Sequence, residues 1–138
     1  MEEQSKKIVY VDGVFDLFHA GHLAFLRQVK KLGNYLLVGV VKDDDVESYK
    51  RLPVIKYENR LQMLEECRLV DKVIPAELLI TKDFINRNNI SVVAHGDDDE
   101  QVDFFRVPRE MGIMKYVSYT KGISTTQLIQ SLKNRTDL

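Results

Sequence analysis

The stretch KIVYVDGVFDLFHAGHLAFLRQVKKLGNYLLVGVVKD, residues 7–43, decides the fold. It begins with a short apolar, β-branched run that ends at Gly13, and it closes with a second run, residues 34–43, that is apolar at nearly every position. Such uniform apolarity is typical of parallel strands that are covered on both faces. Apolar residues recur at helical spacing over 23–32, and Gly33 stands where a helix C-cap glycine is expected. The stretch therefore predicts one strand–helix–strand unit.

The same alternation continues along the chain. The predicted further helices cover residues 57–70, 81–89, 101–112 (interrupted by Pro108) and 124–135, and the predicted further strands cover residues 71–75, 90–96 and 113–119. Ser124 and Gln127 form a capping-box pattern at the last helix. Five strands and five helices in strict alternation predict an α/β fold, a single Rossmann-like doubly wound domain over residues 1–138 with a five-stranded parallel sheet.

Composition limits the class of protein. The 138 residues, 44 % of them hydrophobic, suit one domain with a real core. A formal charge of -1 argues against a nucleic-acid partner, because a basic domain would be needed for broad attraction to phosphates. The single cysteine, Cys67, excludes an internal disulfide and fits a reducing compartment. No stretch approaches the ~20 apolar residues of a membrane span, so we expect a cytoplasmic protein without membrane insertion.

Most of the unusual chemistry follows the predicted strands. In a doubly wound sheet ligands bind at the carboxyl ends of the strands, so the loops that follow them are the candidate sites. Those loops are DGVFDLFHAGH (12–22), KDDDVESYK (42–50), AHGDDDEQ (94–101) and SYTKGISTT (118–126).

The histidines of HAGH, His19 and His22, have three interpretations. They could be satisfied histidines at a helix start, or a metal pair, although His95 is the only other histidine and a zinc site usually has a third ligand. The third interpretation is phosphate binding, because a helix N-terminus after the first strand offers backbone N–H groups and imidazole donors can follow developing charge. Gly21 would then keep the loop clear of a side chain that obstructs a nucleotide. The context favours phosphate.

The last loop supports that interpretation. Ser124, Thr125 and Thr126 follow Gly122 at the start of the final helix. One hydroxyl is enough for an N-cap, so capping and phosphate binding can coexist here. No GxGxxG follows the first strand and no GxxxxGK[ST] occurs, which disfavours dinucleotide oxidoreductases and P-loop NTPases.

Charged residues in the other loops are ambiguous from sequence. The acidic runs at 43–45 and 97–99 could be solvated loops, or the second run could contact ribose or base or help to hold Mg²⁺ on a triphosphate. Lys50, Arg60 and Arg68 could be surface residues or the cations that a triphosphate needs.

These segments together resemble the cytidylyltransferases, members of the HxGH nucleotidyltransferase superfamily that make CDP-alcohols. The similar segments are DGVFDLFHAGH, ENRLQMLEECRLVDKVIP (58–75), VVAHGDD (92–98) and TKGISTT (120–126), and they span almost the whole chain. HAGH with a downstream GISTT favours cytidylyl over adenylyl transfer. The short chain resembles glycerol-3-phosphate enzymes, whereas YVDGVFDLFHAGH and VAHGDD resemble phosphocholine and phosphoethanolamine enzymes more closely.

The resemblance implies an activity and a set of site residues. The activity is transfer of CMP from CTP, bound with Mg²⁺ as cofactor, to a small phosphorylated alcohol. His19 and His22 would stabilise the α-phosphate as pyrophosphate leaves, Lys50 would contact phosphates, and no metal is expected on protein ligands alone. Arg60 and Arg68 match the family's two arginines. The implied nucleotide-binding residues are Gly13, Val14, Phe15, Gly21, Gly96, Asp97, Asp98, Thr120, Gly122, Ile123, Ser124, Thr125 and Thr126.

The sequence departs from the family pattern at one position and leaves alternatives open. Tyr119 stands where the family usually has an arginine, and Lys121 is only a partial replacement because it is a point charge. An ATP-dependent adenylyltransferase and a nucleotide-binding module without turnover are the alternatives. Asp16 and Asp71 match family positions and are expected to hold the shape of the site. The resemblance also implies a homodimer.

Overall fold

The computed structural model describes residues 5–97, 103–118 and 123–138. The strands are β1 (Ile8–Gly13), β2 (Tyr35–Val40), β3 (Lys72–Pro75), β4 (Ile90–Gly96) and β5 (Met114–Val117). The helices are α1 (Ala20–Lys30), α2 (Asp43–Glu47), α3 (Tyr57–Glu65), α4 (Lys82–Arg87), α5 (Arg106–Glu110) and α6 (Thr125–Asn134). None of these helices is long and apolar enough to cross a membrane.

The strands form one parallel sheet in the order β3-β2-β1-β4-β5. This confirms the predicted α/β fold with a five-stranded parallel sheet. The chain moves outward from β1 through β2 to β3, and then returns to the other side of β1 for β4 and β5. The order therefore reverses between β1 and β4, and a ligand crevice is expected outside the carboxyl ends of these two strands.

The core lies on both faces of the sheet. Successive side chains of a strand point to opposite faces, and β1 shows this directly. Val9 and Val11 pack into a cluster that includes Leu26 of α1, whereas Ile8 and Tyr10 pack into a second cluster that includes Phe84 of α4. Both faces are covered, which explains why the strands are apolar at nearly every position.

Two helix predictions need correction. The loop at 42–50 contains the short helix α2, so the described residues form six helices rather than five. Three aspartates occupy the first turn of α2, where negative charge is favourable to the helix dipole. Pro108 does not interrupt a helix but is the third residue of α5. A proline is tolerated in the first turn because the N–H it lacks has no intrahelical acceptor there.

Gly33 is also not the C-cap that the sequence suggests. The helix cap is Lys31, in an ordinary right-handed conformation. A Cβ atom on Gly33 would lie 2.3 Å from the carbonyl oxygen of Lys7. The glycine is therefore required by a close approach of two backbone segments at the amino end of β1.

Candidate nucleotide site

A cavity of about 510 Å³ opens at the carboxyl ends of β1 and β4, where the strand order reverses. The loop that follows β1 forms one wall, and the start of α6 forms another. The lining residues are Asp12, Gly13, Val14, Phe15, Asp16, His22, Phe25, Val46, Lys50, Arg51, Pro53, His95, Thr125 and Thr126.

The loop between β1 and α1 is held in an uncommon conformation. Phe15 and Leu17 both have positive φ angles, 54° and 52°, in the left-handed region that non-glycine residues rarely adopt. Phe15 is nonetheless buried, and a Cβ atom on Gly13 would lie 2.9 Å from its ring. Strained backbone of this kind persists only where its surroundings hold it, and here it carries the chain into His19.

His19 and His22 cap the first turn of α1. The Nδ1 atom of His19 accepts a hydrogen bond from Gly21 N at 3.0 Å, and the Nδ1 atom of His22 accepts one from His19 N at 3.1 Å. An Nδ1 atom that accepts from a backbone N–H cannot carry a proton itself, so a neutral ring has its proton on Nε2. Helix capping therefore fixes both tautomers and leaves two Nε2–H donors.

Both rings are also kept uncharged. The two rings stack with centroids 3.9 Å apart, and Phe18 stacks against the other side of His22 at 5.4 Å. Burial and the neighbouring His19 lower the pKa of His22 to about 4, against a smaller opposing effect of Asp16. Burial also lowers the pKa of His19. Near neutral pH both imidazoles are therefore neutral. His22 lines the cavity, whereas His19 lies behind Thr125, which does line it.

The start of α6 is fastened to this pair. The Oγ1 atom of Thr125 donates to the Asp16 carbonyl oxygen at 3.0 Å and lies 3.4 Å from Nε2 of His19. Ser124 is the N-cap of α6, as the sequence predicts: its Oγ accepts a hydrogen bond from Gln127 N at 3.1 Å. A Cβ atom on Gly21 would lie 2.8 Å from the His19 ring. Packing within the site therefore requires this glycine, a reason different from the nucleotide clearance suggested by the sequence.

The segment 50–56 forms the side of the cavity and is fixed by the two charged residues that are buried among those described. Asp16, 5 % exposed, accepts from Val54 N at 2.8 Å and from Ile55 N at 2.9 Å. Arg60, 1 % exposed, donates to Ile55 O at 2.9 Å and to Val14 O at 2.8 Å. We call Asp16 and Arg60 the buried clamp. It satisfies both polar groups of Ile55 and ties the segment to the loop after β1.

Arg60 has a third partner. Its guanidinium donates to Asp43 Oδ1 at 2.6 Å, and this bond helps to hold the pKa of the Asp43 carboxyl below its usual value despite partial burial. Asp43 also accepts from Tyr57 N at 3.3 Å. Arg60 therefore binds three parts of the protein and does not line the cavity. The sequence offered Arg60 as a surface residue or as one of the cations that a triphosphate needs; the structure places it in the interior, with its donors on protein acceptors.

The other two predicted cations, Lys50 and Arg68, lie at opposite ends of the strands. Lys50 lines the cavity, with its ammonium 5.5 Å from the ring centroid of Tyr49. Arg68 is exposed in the turn that leads from α3 into β3. That turn lies at the amino ends of the strands, so the structure does not bring Arg68 to the cavity. Asp71 is at the same edge, where its carboxylate accepts from Leu36 N at 2.7 Å, so it fixes the start of β2 instead of the site.

The end of β4 completes the described site. Gly96 is buried in β4, and Asp97 follows it with an exposed side chain and its N–H bonded to Val117 O at 2.9 Å. Ile123 is half-buried, and its carbonyl oxygen would lie 3.1 Å from a Cβ atom on Gly21. The predicted residues Asp98, Tyr119, Thr120, Lys121 and Gly122 lie outside the described residues.

Several residues that line the cavity were not predicted as site residues from the sequence. His95 is the last residue but one of β4, the strand next to β1, and its ring centroid lies 4.7 Å from that of Phe105. It lies inside the quoted VVAHGDD segment, so its position near the carboxyl end of a predicted strand was the available signal. Arg51 is next to Lys50 and also lines the cavity. Val46 lines it from α2, the helix that the sequence interpretation treated as a loop.

Within the described part of the chain, no group of three or more His, Cys, Asp or Glu side chains is arranged to hold a metal ion. Mg²⁺ commonly binds proteins through one or two carboxylates together with substrate phosphates. Asp12, which lines the cavity, is a carboxylate of this kind. The carboxylate of Asp12 fits a Mg²⁺ ion that enters bound to a phosphorylated ligand.

Fold and cavity together define a Rossmann-like α/β domain whose site suits a phosphorylated ligand. The chain belongs to the cytidylyltransferase-like family, whose sequence model matches residues 10–131.

The chain is similar to both amino-alcohol branches of the family. It is 42 % identical over 135 residues to the ethanolamine-phosphate cytidylyltransferase of Dictyostelium discoideum, and 37 % identical over 131 residues to the choline-phosphate cytidylyltransferase of Saccharomyces cerevisiae. The matches cover 91 % and 90 % of this chain but only 38 % and 31 % of those relatives. The chain therefore spans less than half the length of these relatives.

A solved structure has the same fold. It is a lipopolysaccharide core biosynthesis protein from Thermoplasma volcanium, with a TM-score of 0.70 and 26 % sequence identity. The match covers 86 % of this chain and all of that one.

Proposed function

We propose that this domain transfers CMP from CTP to a small phosphorylated alcohol, with release of pyrophosphate. The observation that carries the proposal is the pair of neutral Nε2–H donors that capping leaves on His19 and His22. They lie at the positively polarised N-terminus of α1, beside Thr125 and Thr126 at the N-terminus of α6. Two helix N-termini and two fixed donors form a site for phosphate charge.

The proposed step is an in-line displacement at the α-phosphorus of CTP. A phosphate oxygen of the acceptor forms a new P–O bond, while the P–O bond to the leaving pyrophosphate breaks with its electron pair. The attacking oxygen is already anionic near neutral pH, so no general base is needed. Catalysis then rests on positioning and on donors that meet the charge as it develops, which is the part proposed for the two imidazoles.

The acceptor is proposed to be an amino-alcohol phosphate. A second cavity of about 40 Å³ adjoins the first and shares Asp12, Lys50 and His95 with it. Its wall includes Tyr49 and Phe104, whose rings meet edge to face at 5.6 Å. A carboxylate beside aromatic rings suits a cationic head group, whereas glycerol 3-phosphate has no cation to place there. The similarity to ethanolamine- and choline-phosphate enzymes supports the same choice.

Mg²⁺ is proposed to enter as part of the CTP complex, where it would neutralise charge on the triphosphate. Lys50 would contact the phosphates of CTP and acceptor. Gly96 and Asp97, at the end of β4, would lie by the cytidine. A homodimer stays a prediction from the resemblance, and a cytoplasmic location stays a prediction from composition.

The test is a substrate panel followed by pyrophosphate release. Purified protein receives MgCTP or MgATP with phosphoethanolamine, phosphocholine or glycerol 3-phosphate. We expect turnover with CTP and an amino-alcohol phosphate. Faster turnover with ATP would favour the adenylyltransferase. Binding of CTP in calorimetry without pyrophosphate release from any acceptor would favour a nucleotide-binding module.

A further inference from the structure

The positive charge of the described cavity comes from very few side chains. Both imidazoles near α1 are held neutral by their surroundings, Arg60 is turned into the protein, and Arg68 is at the opposite edge of the sheet. Of the cations proposed from sequence that the structure describes, only Lys50 lines the cavity; Lys121 lies outside the described residues. A triphosphate carries several negative charges, so a second lining cation would strengthen its binding beyond what Lys50 and Mg²⁺ supply.

Arg51 is the lining residue that meets this need. It is exposed beside Lys50 and, within the described ranges, makes no hydrogen bond or ion pair. Several other exposed arginines are paired with carboxylates, whereas Arg27 and Arg68 have no such partner among the described residues but do not line the cavity. Arg87 pairs with Glu77 and Asp83, Arg109 pairs with Asp103, and Arg135 pairs with Asp137.

The backbone behind Arg51 is fixed, although its side chain is solvated. The buried clamp of Asp16 and Arg60 holds Val54 and Ile55, three and four residues further along the chain. On the other side, Lys50 N donates to Val46 O at 2.8 Å, which ties the segment to α2. The backbone on both sides of Arg51 is therefore hydrogen-bonded to the rest of the protein. These bonds fix the position from which the Arg51 side chain reaches the cavity.

We propose that Arg51 binds the triphosphate of CTP together with Lys50. The inference rests on the proposed function and adds a residue to the set implied by the resemblance. A guanidinium presents a planar fork of N–H donors that can engage two phosphate oxygens at once, whereas the Lys50 ammonium acts as a point charge. The contact falls on the β- and γ-phosphates, because the α-phosphate belongs to the two histidines.

The experiment compares the binding of CTP and CMP by calorimetry in the wild type, Arg51→Gln and Arg51→Lys. For Arg51→Gln we expect CTP to bind about 10- to 100-fold more weakly, the scale for losing hydrogen bonds to a charged group. CMP binding should change by less than about 2-fold, since CMP lacks the β- and γ-phosphates. Arg51→Lys should be intermediate, because it keeps the charge without the fork. The matched control is Arg27→Gln, an exposed arginine on α1 outside the site.

The outcomes separate this inference from the proposed reaction. Equal CTP affinity in wild type and Arg51→Gln overturns the role of Arg51, even if the wild type turns over normally. A parallel loss of CTP and CMP affinity also overturns it, because the effect would then not lie at the outer phosphates. If the wild type binds CTP but releases no pyrophosphate, the reaction fails while the binding comparison still decides on Arg51. A wild type that does not bind CTP overturns both.

Discussion

The two edges of the sheet use an aspartate in the same way but in different surroundings. At the carboxyl edge Asp16, 5 % exposed, accepts hydrogen bonds from Val54 N and Ile55 N. At the amino edge the side chain of Asp71, 35 % exposed, accepts from Leu36 N and lies 3.7 Å from the ammonium of Lys30. Each aspartate fixes backbone at its own edge.

The difference lies in what is left for a ligand. At the carboxyl edge the buried clamp holds the backbone in place, so the side chains of Lys50 and Arg51 are left to line the cavity. At the amino edge the half-buried Lys30 holds backbone instead, since it donates to Leu69 O at 2.8 Å. Burying the structural charges in one place leaves other charges available for binding, and this separation distinguishes the two edges.

Removing the cation at each edge tests this comparison with the largest expected effect. Arg60→Met removes the hydrogen bonds that Arg60 donates to Val14 O, Ile55 O and Asp43 Oδ1, and should lower the free energy of unfolding by about 3–5 kcal/mol. Lys30→Met removes a half-exposed ion pair and the hydrogen bond to Leu69 O, and should cost only about 1 kcal/mol. Urea unfolding measures both. Similar losses in the two variants would show that burial does not separate the edges.

Removing the imidazoles tests whether the carboxyl edge is where chemistry occurs. His19→Ala and His22→Ala should each lower kcat by roughly 10²- to 10³-fold, the scale for losing a donor that acts in the transition state. The measurement is pyrophosphate release at saturating CTP and acceptor. Near-normal turnover in both variants would contradict the proposed mechanism.

His19→Asn is the matched control, because it separates capping from donation. Asparagine is a good N-cap and should keep the stability of α1, whereas alanine costs about 1 kcal/mol. Its amide does not reach the place of the His19 Nε2–H, so activity should fall as far as in His19→Ala. An active His19→Asn variant would mean that the ring serves only the helix.

The fold was predictable from sequence because parallel strands carry a strong local signal. Both β1 and β2 are covered on two faces, and this requires apolar residues at nearly every position. What failed depended on distant contacts. Gly33 follows a helix, as a C-cap glycine would, yet the reason for it is the carbonyl of Lys7, which sequence spacing does not reveal. The short helix α2 has no apolar periodicity long enough to detect.

The sequence predicts which loops form the site, but not which charged residues are structural and which line the cavity. Parallel topology alone brings His22, Lys50 and Thr125 to one cavity, and the sequence interpretation named all three. Arg60 and Arg68 could not be told apart in sequence, because burial decides their roles. One faces inward at the carboxyl edge and the other lies at the amino edge. Arg51 was missed because a lone charged residue has no spacing signature.

The pH dependence of stability should come partly from the carboxyl edge. His22 has a pKa of about 4 when folded, below its ordinary 6.5. Between these values the unfolded chain binds a proton that the folded chain does not, so the free energy of unfolding falls by roughly 3 kcal/mol as the pH falls from about 6.5 to about 4. Above pH 6.5 this contribution is fully present.

His22→Asn isolates that effect. The asparagine oxygen can still accept from His19 N–H, but the residue does not titrate. Denaturation at a series of pH values should therefore show a shallower loss of stability for the variant below pH 6.5. Parallel curves for variant and wild type would mean that the ring of His22 takes up its proton as easily in the folded protein as in the unfolded chain.

The smallest expected effect concerns a buried polar atom that belongs to neither edge. The Tyr10 hydroxyl, in the middle of β1, is fully buried and has no hydrogen-bond partner among the described residues, in contrast to the fully bonded clamp. Burial raises the pKa of this hydroxyl well above 10, so it stays neutral. Tyr10→Phe should therefore raise the free energy of unfolding by about 1 kcal/mol in urea denaturation, because it removes a buried polar group that has no hydrogen bond.

The Tyr10 hydroxyl also occupies the space that a Cβ atom on Gly39 would need, since the two atoms would lie 2.2 Å apart. Gly39→Ala should therefore be tolerated better in the Tyr10→Phe background than in the wild type. A net loss of stability in Tyr10→Phe would mean that filling the space beside Gly39 outweighs the missing hydrogen bond.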